Sequence, residues 1–295
     1  MSVFTTTSQF YPILSDVCCF HTATSEDRSD PAIPFHEHDA YEIYIFICGD
    51  IQFYVEHACY QLSQGDMVII NPNELHHAAC YNTQIYERVC FNIKQSALER
   101  LSSGKTNFAE HFSTLSTGVK GAGEKKIVRL NNEQIKDFIR LNEYINRFIQ
   151  SDEFAADILL DSFLSQLFAY IIHLYKYSSY SPANMTPDLI HATMLYIKEH
   201  LGERLLLEDM SKKFYMSGAH ISREFKKHTG LTIRAYILNK RISKAKALLH
   251  EGKSVAEACY MSGFSDYSNF IRSFTNNVGV APGKYKKNLY LLSGR

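Results

Sequence analysis

Apolar residues change their spacing along this chain, and the changes divide it. Between about residues 10 and 95 they gather in short runs. These are Tyr41-Glu-Ile-Tyr-Ile-Phe-Ile47, Asp50-Ile-Gln-Phe-Tyr-Val-Glu56, Asp66-Met-Val-Ile-Ile-Asn71 and Ile85-Tyr-Glu-Arg-Val-Cys-Phe-Asn-Ile93. The runs are rich in β-branched and aromatic residues and are punctuated by Gly49, Gly65 and Pro72. That pattern predicts strands, and many short strands at close spacing predict a sandwich or barrel. From residue 134 the period lengthens. Ile135, Phe138, Leu141, Ile145 and Phe148 fall at helical spacing, as do Ile158, Leu159, Phe163, Leu164, Leu167, Phe168 and Ile171. These two helices either pack on the strands or pair with a second chain. Beyond a Ser- and Pro-bearing linker, short helical patterns alternate with tight turns as far as Tyr285. The first of them is expected to start at Thr186-Pro187-Asp188, with Thr186 as its cap.

The expected fold is therefore α+β and multidomain. A β-barrel occupies residues 1–115, a helical dimerisation or packing segment 127–178, a linker 179–187, and an all-α domain with two helix-turn-helix units 188–290.

Charge follows the same division. The 295-residue chain is neutral overall, yet residues 186–295 hold 18 Lys and Arg against 9 Asp and Glu, and residues 1–185 hold 13 against 22. A basic third joined to an acidic remainder implies that one part faces a polyanion. Met1 to Phe10 lacks the basic and then apolar order of a signal peptide, and no uninterrupted run of about 18 apolar residues marks a membrane span. Seven cysteines without a CxxC spacing predict free thiols in a reducing compartment. Cys18, Cys19 and Cys259 read as packing residues. A cytoplasmic protein with no membrane partner is expected.

The basic third contains an internal repeat. Met210 and Ser211 align with Ala258 and Cys259, while Ile221, Arg223, Phe225, Gly230 and Tyr236 align with Phe270, Arg272, Phe274, Gly279 and Tyr285. The offset grows from 48 to 49 within each copy, so the second turn is one residue longer. Each copy has the parts of a helix-turn-helix: a small residue where helices cross (Ser211, Cys259), a turn, and a second helix apolar on one side. Ser217, and either Ser265 or Asp266, are candidate caps. Away from the apolar side stand Ser217, Gly218, Ala219, Ser222, Arg223, Lys226 and Lys227 in the first copy. Tyr267, Ser268, Asn269 and Arg272 stand there in the second. These are candidate contacts to the bases and phosphates of double-stranded DNA. Between the copies, Ile233 to Leu249 reads as one helix carrying Lys240, Arg241, Lys244 and Lys246.

This third resembles the AraC/XylS family of transcription regulators. The resemblance covers residues 186–290 and is carried by Met216-Ser-Gly-Ala-His-Ile-Ser-Arg-Glu-Phe-Lys-Lys227, Gly263-Phe-Ser-Asp-Tyr-Ser-Asn-Phe-Ile-Arg-Ser-Phe274 and Gly279-Val-Ala-Pro-Gly-Lys-Tyr285. It implies a promoter-binding homodimer, an activator in contact with RNA polymerase, with Arg223 and Arg272 as leading DNA contacts. Thr275-Asn-Asn277 departs from the basic residues frequent at that place, which implies a weaker phosphate grip in the second copy.

A second resemblance lies near the N-terminus. Phe35-His36-Glu-His38-Asp-Ala-Tyr-Glu42, followed by Gly49, has the HxHxxxE…G spacing of a cupin, and Gly65 to His77 is similar to the second cupin element. Histidines two apart on a strand point to the same face, so the barrel is expected to be cupin-like. Three readings stand side by side. His36, His38, Glu42 and His76 or His77 could hold a metal, or the same groups with Tyr44 could bind an effector without one, or they could be structural. The metal-free sensor is the expected reading, with no cofactor and no catalytic residue. The family resemblance implies a small-molecule effector, with a sugar as the expected class, at His36, His38, Glu42, Tyr44, His76 and His77. The alternative is a metal-dependent cupin enzyme or a metal-sensing regulator.

Overall fold

The computed structural model describes residues 16–25, 35–56, 58–80, 85–116, 127–177 and 187–292. They form two compact units: a sheet unit with residues 16–25 and 38–177, and a helical unit with residues 187–292 and the short segment 35–37.

The sheet unit has two antiparallel sheets. The larger has the order β1 (Val17–Ser25), β7 (Ile85–Ile93), β2 (Tyr41–Cys48), β5 (Asp66–Ile70), β8 (Ile127–Arg129). The smaller has the order β4 (Ala58–Gln61), β3 (Ile51–Val55), β6 (His76–Cys80). Side chains alternate between the faces of a strand. On β2, Tyr44 and Phe46 therefore join Ile51, Phe53, Val55, Ala58 and Tyr60 of the smaller sheet in one core. Ile43, Ile45 and Ile47 point the opposite way, into a second core shared with helices α1 (Gln95–Arg100), α2 (Phe108–Ser116), α3 (Asn132–Phe148) and α4 (Ala156–Tyr177). Both faces of β2 are buried, which is why its sequence runs apolar without a polar alternation.

The barrel and the helical segment thus share a core and are one unit, not two domains. Residues 127–129, expected to open the helical segment, pair with β5 instead, Val68 opposite Ile127. α1 and α2 lie where only barrel was expected. α3 starts at a capping box in which Asn131 and Gln134 satisfy each other's backbone N–H. α4 has the length and apolarity of a membrane span. One side of it is nonetheless core: Leu164, Leu167, Phe168 and Ile171 are buried, and the Tyr175 hydroxyl donates to the Met67 carbonyl at 3.0 Å. Ile158 and Leu159 on α4 are left exposed, as is Phe154 before it. Cys18, Cys19, Cys48, Cys59, Cys90 and Cys259 are free thiols; Cys19 and Cys259 are buried as expected, whereas Cys18 is exposed. Burial raises the Cys19 thiol to a pKa of about 12, which leaves it unreactive.

The helical unit runs α5 (Asp188–Glu199), α6 (Leu207–Phe214), α7 (Gly218–Thr229), α8 (Ile233–His250), α9 (Val255–Met261), α10 (Tyr267–Val278) and α11 (Pro282–Leu292). Pro187 holds the N-cap position of α5 without a side-chain bond, and Thr186, the expected cap, lies outside the described residues. The repeat is visible in the packing. Phe225 meets Tyr236 edge-on at 5.3 Å, and Phe274 meets Tyr285 edge-on at 5.5 Å, both at 70°. α6 and α7 are separated by residues 215–217, α9 and α10 by 262–266.

Two basic residues of α8 have internal work. Arg241 donates to the carbonyls of Leu201 and Glu203 just past α5, and Lys246 is fully buried, paired with Glu37 at 2.9 Å. Neither is therefore a free surface cation. Gly263, at φ +96°, lies against the same Leu201 carbonyl, where an added Cβ would come within 2.2 Å of the oxygen. Gly263→Ala is expected to destabilise the helical unit by at least about 1–3 kcal/mol, since both the left-handed backbone and the contact are unfavourable. Gly283→Ala, with nothing within 4 Å of the new Cβ, should be neutral or mildly stabilising. Urea denaturation followed by circular dichroism checks both.

Candidate DNA-binding surface and effector site

Each second helix of the repeat starts at a cap. The Ser217 hydroxyl accepts the His220 N–H at 3.3 Å, and the Asp266 carboxylate accepts the N–H of Asn269. Asp266, not Ser265, is therefore the cap of α10. Burial of Ile221 and Phe225, and of Phe270 and Phe274, turns the other sides of α7 and α10 outward. Ala219, Arg223, Lys226 and Lys227 are exposed on α7, with Ser222 half-buried. Tyr267, Ser268, Asn269 and Arg272 are all exposed on α10. Arg223 and Arg272 thus hold matching places on two capped, amphipathic helices.

The two copies differ in detail. The last turn of α7 carries Lys226, Lys227 and His228, while that of α10 carries no basic residue. Gly218 has a packing reason for lacking a side chain. A Cβ there would stand 2.7 Å from Leu207 Cγ and 3.1 Å from Ser211 Oγ, so this glycine lets α7 cross α6 closely. Arg223 and Lys226 also border a cleft of about 640 Å³ floored by Leu205, Met210 and Ile233, which no sequence motif signalled.

The second site lies on the inner face of the larger sheet. His38 Nε2 is 2.8 Å from Glu42 Oε2, and His76 Nε2 is 3.4 Å from the same oxygen. The His38 and His76 rings are edge-on at 5.1 Å. With His36, two residues before His38, one donor atom from each of the four residues lies within 4.8 Å of the others. All but His36 are buried. Burial by itself would raise the Glu42 carboxyl, but the two imidazoles hold its pKa well below the ordinary carboxylate range. Burial would likewise lower His76, and its contacts with Glu42 outweigh that and raise it.

The tautomers are fixed by backbone. His38 Nδ1 is 3.0 Å from the Ala40 carbonyl and His76 Nδ1 is 2.8 Å from the Glu74 carbonyl, so each Nδ1 must carry the donated proton. A neutral ring in either place then aims an Nε2 lone pair at the Glu42 carboxylate. Acceptors facing one another are relieved by a positive charge among them, from protonated imidazole or a bound cation. The donor set fits the second option. Ligand atoms around an ion at ~2.0–2.2 Å lie roughly 3 to 4.4 Å apart, close to the separations here. Backbone carbonyls on the outer nitrogens are also how metal-bound histidines are oriented.

Of the other expected residues, Tyr44 is buried beside this cluster, its hydroxyl 2.6 Å from that of Tyr86. Burial pushes the Tyr44 phenol well above its ordinary pKa, so it remains a neutral donor and acceptor. His77 does not join. It pairs in register with Tyr54 and stacks on that ring at 6.1 Å, on the face opposite His76. Of the two adjacent histidines, only His76 faces Glu42. Cys90, Arg88 and Asn92 on β7 share the inner face with Glu42 and Tyr44, and none of them was singled out from sequence. The only signal was the alternation of Ile85-Tyr-Glu-Arg-Val-Cys-Phe-Asn-Ile93.

Comparison with known proteins follows this division. Residues 21–168 match the AraC-like ligand binding domain, and residues 210–288 match a helix-turn-helix domain family. The uncharacterised HTH-type transcriptional regulator YdeC of Bacillus subtilis (strain 168) is 26% identical over 276 residues, 92% of this chain and 91% of its own. The HTH-type transcriptional activator RhaS of Salmonella schwarzengrund is 31% identical over 118 residues, 39% of this chain and 42% of its own. Among solved structures, ToxT from Vibrio cholerae O395 aligns over 93% of this chain and 98% of its own, at 17% identity and a TM-score of 0.36. A ligand-binding sheet unit followed by a paired helix-turn-helix unit, each matched by its own domain family, places this chain in the AraC family of transcriptional regulators.

Proposed function

We propose that the chain is a cytoplasmic, effector-responsive activator that reads a promoter through α7 and α10 and binds a small polar molecule, a sugar, on the inner face of its sheet unit. The observation that carries the DNA-reading half is the matched pair Arg223 and Arg272, exposed on two capped helices. Similarity to RhaS, named a transcriptional activator, supports the sign of regulation and with it a contact to RNA polymerase. The exposed Ile158, Leu159 and Phe154 beside α4 support pairing with a second copy of the chain. His36, His38, Glu42, Tyr44 and His76 supply polar groups suited to hydroxyls. An effector acts only as far as it binds one arrangement of the protein better than another.

Within the DNA-reading half, α7 anchors and α10 discriminates. The basic last turn of α7 suits phosphates, while Tyr267, Asn269 and Arg272 offer α10 side chains that can meet base edges.

A second reading is favoured by the tautomers of His38 and His76. His36, His38, Glu42 and His76 would hold a divalent transition-metal ion, which would supply the positive charge the cluster needs and a Lewis-acidic point for an effector's oxygen. The protein would then be a metal-sensing or metal-assisted regulator rather than a metal-free sensor.

Arg272→Ala is expected to lose about 1–3 kcal/mol on the footprinted operator and much less on random DNA. An equal loss on both, read by gel shift at fixed salt, would reduce Arg272 to a phosphate contact. For the metal reading, titration with Co²⁺ should give one bound equivalent with visible absorption, and His76→Ala should weaken it at least ~10-fold. Uptake of no stoichiometric metal overturns that reading.

A further inference from the structure

The inner face of the larger sheet holds a cation that the site described above does not use. Arg88 lies opposite Phe46 in the β2–β7 ladder, with its guanidinium 5.7 Å from the Phe20 ring centre and 4.9 Å from that of Tyr86. It has five N–H donors. Among the described residues they meet the Tyr86 hydroxyl at 2.6 Å and come within reach of the Cys90 sulfur, both neutral groups. Among the described residues, no carboxylate is left over to neutralise it. Glu42 is engaged by His38 and His76. Glu87, the next residue along β7, points to the other face and pairs with His21 at 2.7 Å.

A half-buried guanidinium held against two aromatic rings without a counter-charge is costly unless something else supplies the charge. It is also close to the expected effector groups. Cys90, opposite Tyr44 in the ladder, is within hydrogen-bonding range of both Glu42 and Arg88. A second observation lies on the same face. Asn92, opposite Glu42 and only 6% exposed, has a side-chain oxygen with no hydrogen-bond partner. That oxygen calls for a donor such as a hydroxyl.

We infer that the effector is a hydroxylated anion, a sugar acid or a sugar phosphate, whose charged group is taken by Arg88 and one of whose hydroxyls donates to Asn92. The inference rests on the effector reading of this face and narrows it from sugars in general. The planar fork of Arg88 suits a carboxylate or phosphate in a two-point contact. The neutral phenols of Tyr44 and Tyr86 add hydroxyl-compatible partners without adding charge.

Isothermal titration of the full chain with D-galacturonate, D-gluconate and D-glucose 6-phosphate, each against its neutral parent sugar, tests this. At least one acid should bind, with its parent roughly 10- to 100-fold weaker, the range expected for a charge-assisted pair. Arg88→Gln should abolish that preference and Arg88→Lys should keep part of it, both with wild-type affinity for DNA. Binding of the carboxylates alone, or of the phosphate alone, identifies which anion the site takes. Should the variants fail to fold, the acid-to-parent ratio of the wild type still decides. A neutral sugar that binds as tightly as its acid, or an Arg88→Gln protein that keeps the preference, overturns the anion inference and leaves the effector reading standing. A chain that binds its operator but no sugar of either charge overturns both.

Discussion

The five-stranded sheet has to be covered on both faces, and most of the sheet unit follows from that. Ile43, Ile45 and Ile47 on one side of β2, and Tyr44 and Phe46 on the other, leave neither face fit for water. The smaller sheet covers one face and α1 to α4 the other. At ~25 cal/mol per Å² of apolar surface, neither cover could be removed without exposing side chains that each contribute ~1.5–3 kcal/mol by burial. The same constraint makes room for function. Once the inner face is sealed by aromatic residues, the few polar groups set among them, Glu42, His76, Arg88 and Asn92, are held in a poorly hydrated setting. There, hydrogen bonds and charge pairing are stronger than in water.

The helical unit solves a different problem, that of presenting two short helices at fixed places. α7 and α10 are each 12 residues long, too short to be stable alone. They depend on caps at their N-termini, on buried apolar residues one turn apart (Ile221 and Phe225, Phe270 and Phe274), and on the tyrosines that follow, Tyr236 and Tyr285. The unequal basic charge on their last turns is a difference of surface laid over a common scaffold.

How much of this was legible in the sequence depends on how local each cause is. The central strands, α3, α4 and both helix-turn-helix copies announce themselves through periodicity, caps and repetition, which are properties of neighbouring residues. β1 and β8 do not. Val17-Cys-Cys-Phe-His-Thr-Ala-Thr-Ser25 has little apolar alternation, and the three residues of β8 become a strand only because β5 is there to pair with. The choice between His76 and His77 needed strand register, since adjacent residues face opposite ways. Arg88 and Asn92 needed the same register to reach the inner face. The internal partners of Arg241 and Lys246 were not legible, because helical spacing records which side a residue is on, not what is packed there.

The carbonyl of Leu201 touches both Arg241 of α8 and the backbone at Gly263, between the two helices of the second copy. One point past the first helix of the unit therefore fastens the connector and the second turn together. If α7 and α10 read DNA as proposed, a spacing fastened in this way makes the paired units a ruler of set length and pitch. DNA offers its grooves at a fixed rotation per base pair, about 34–36° for ~10–10.5 base pairs per turn. A ruler that cannot twist selects for phase as well as for sequence. Two correct half-sequences one base pair out of step would present the second one turned away from the helix meant to read it.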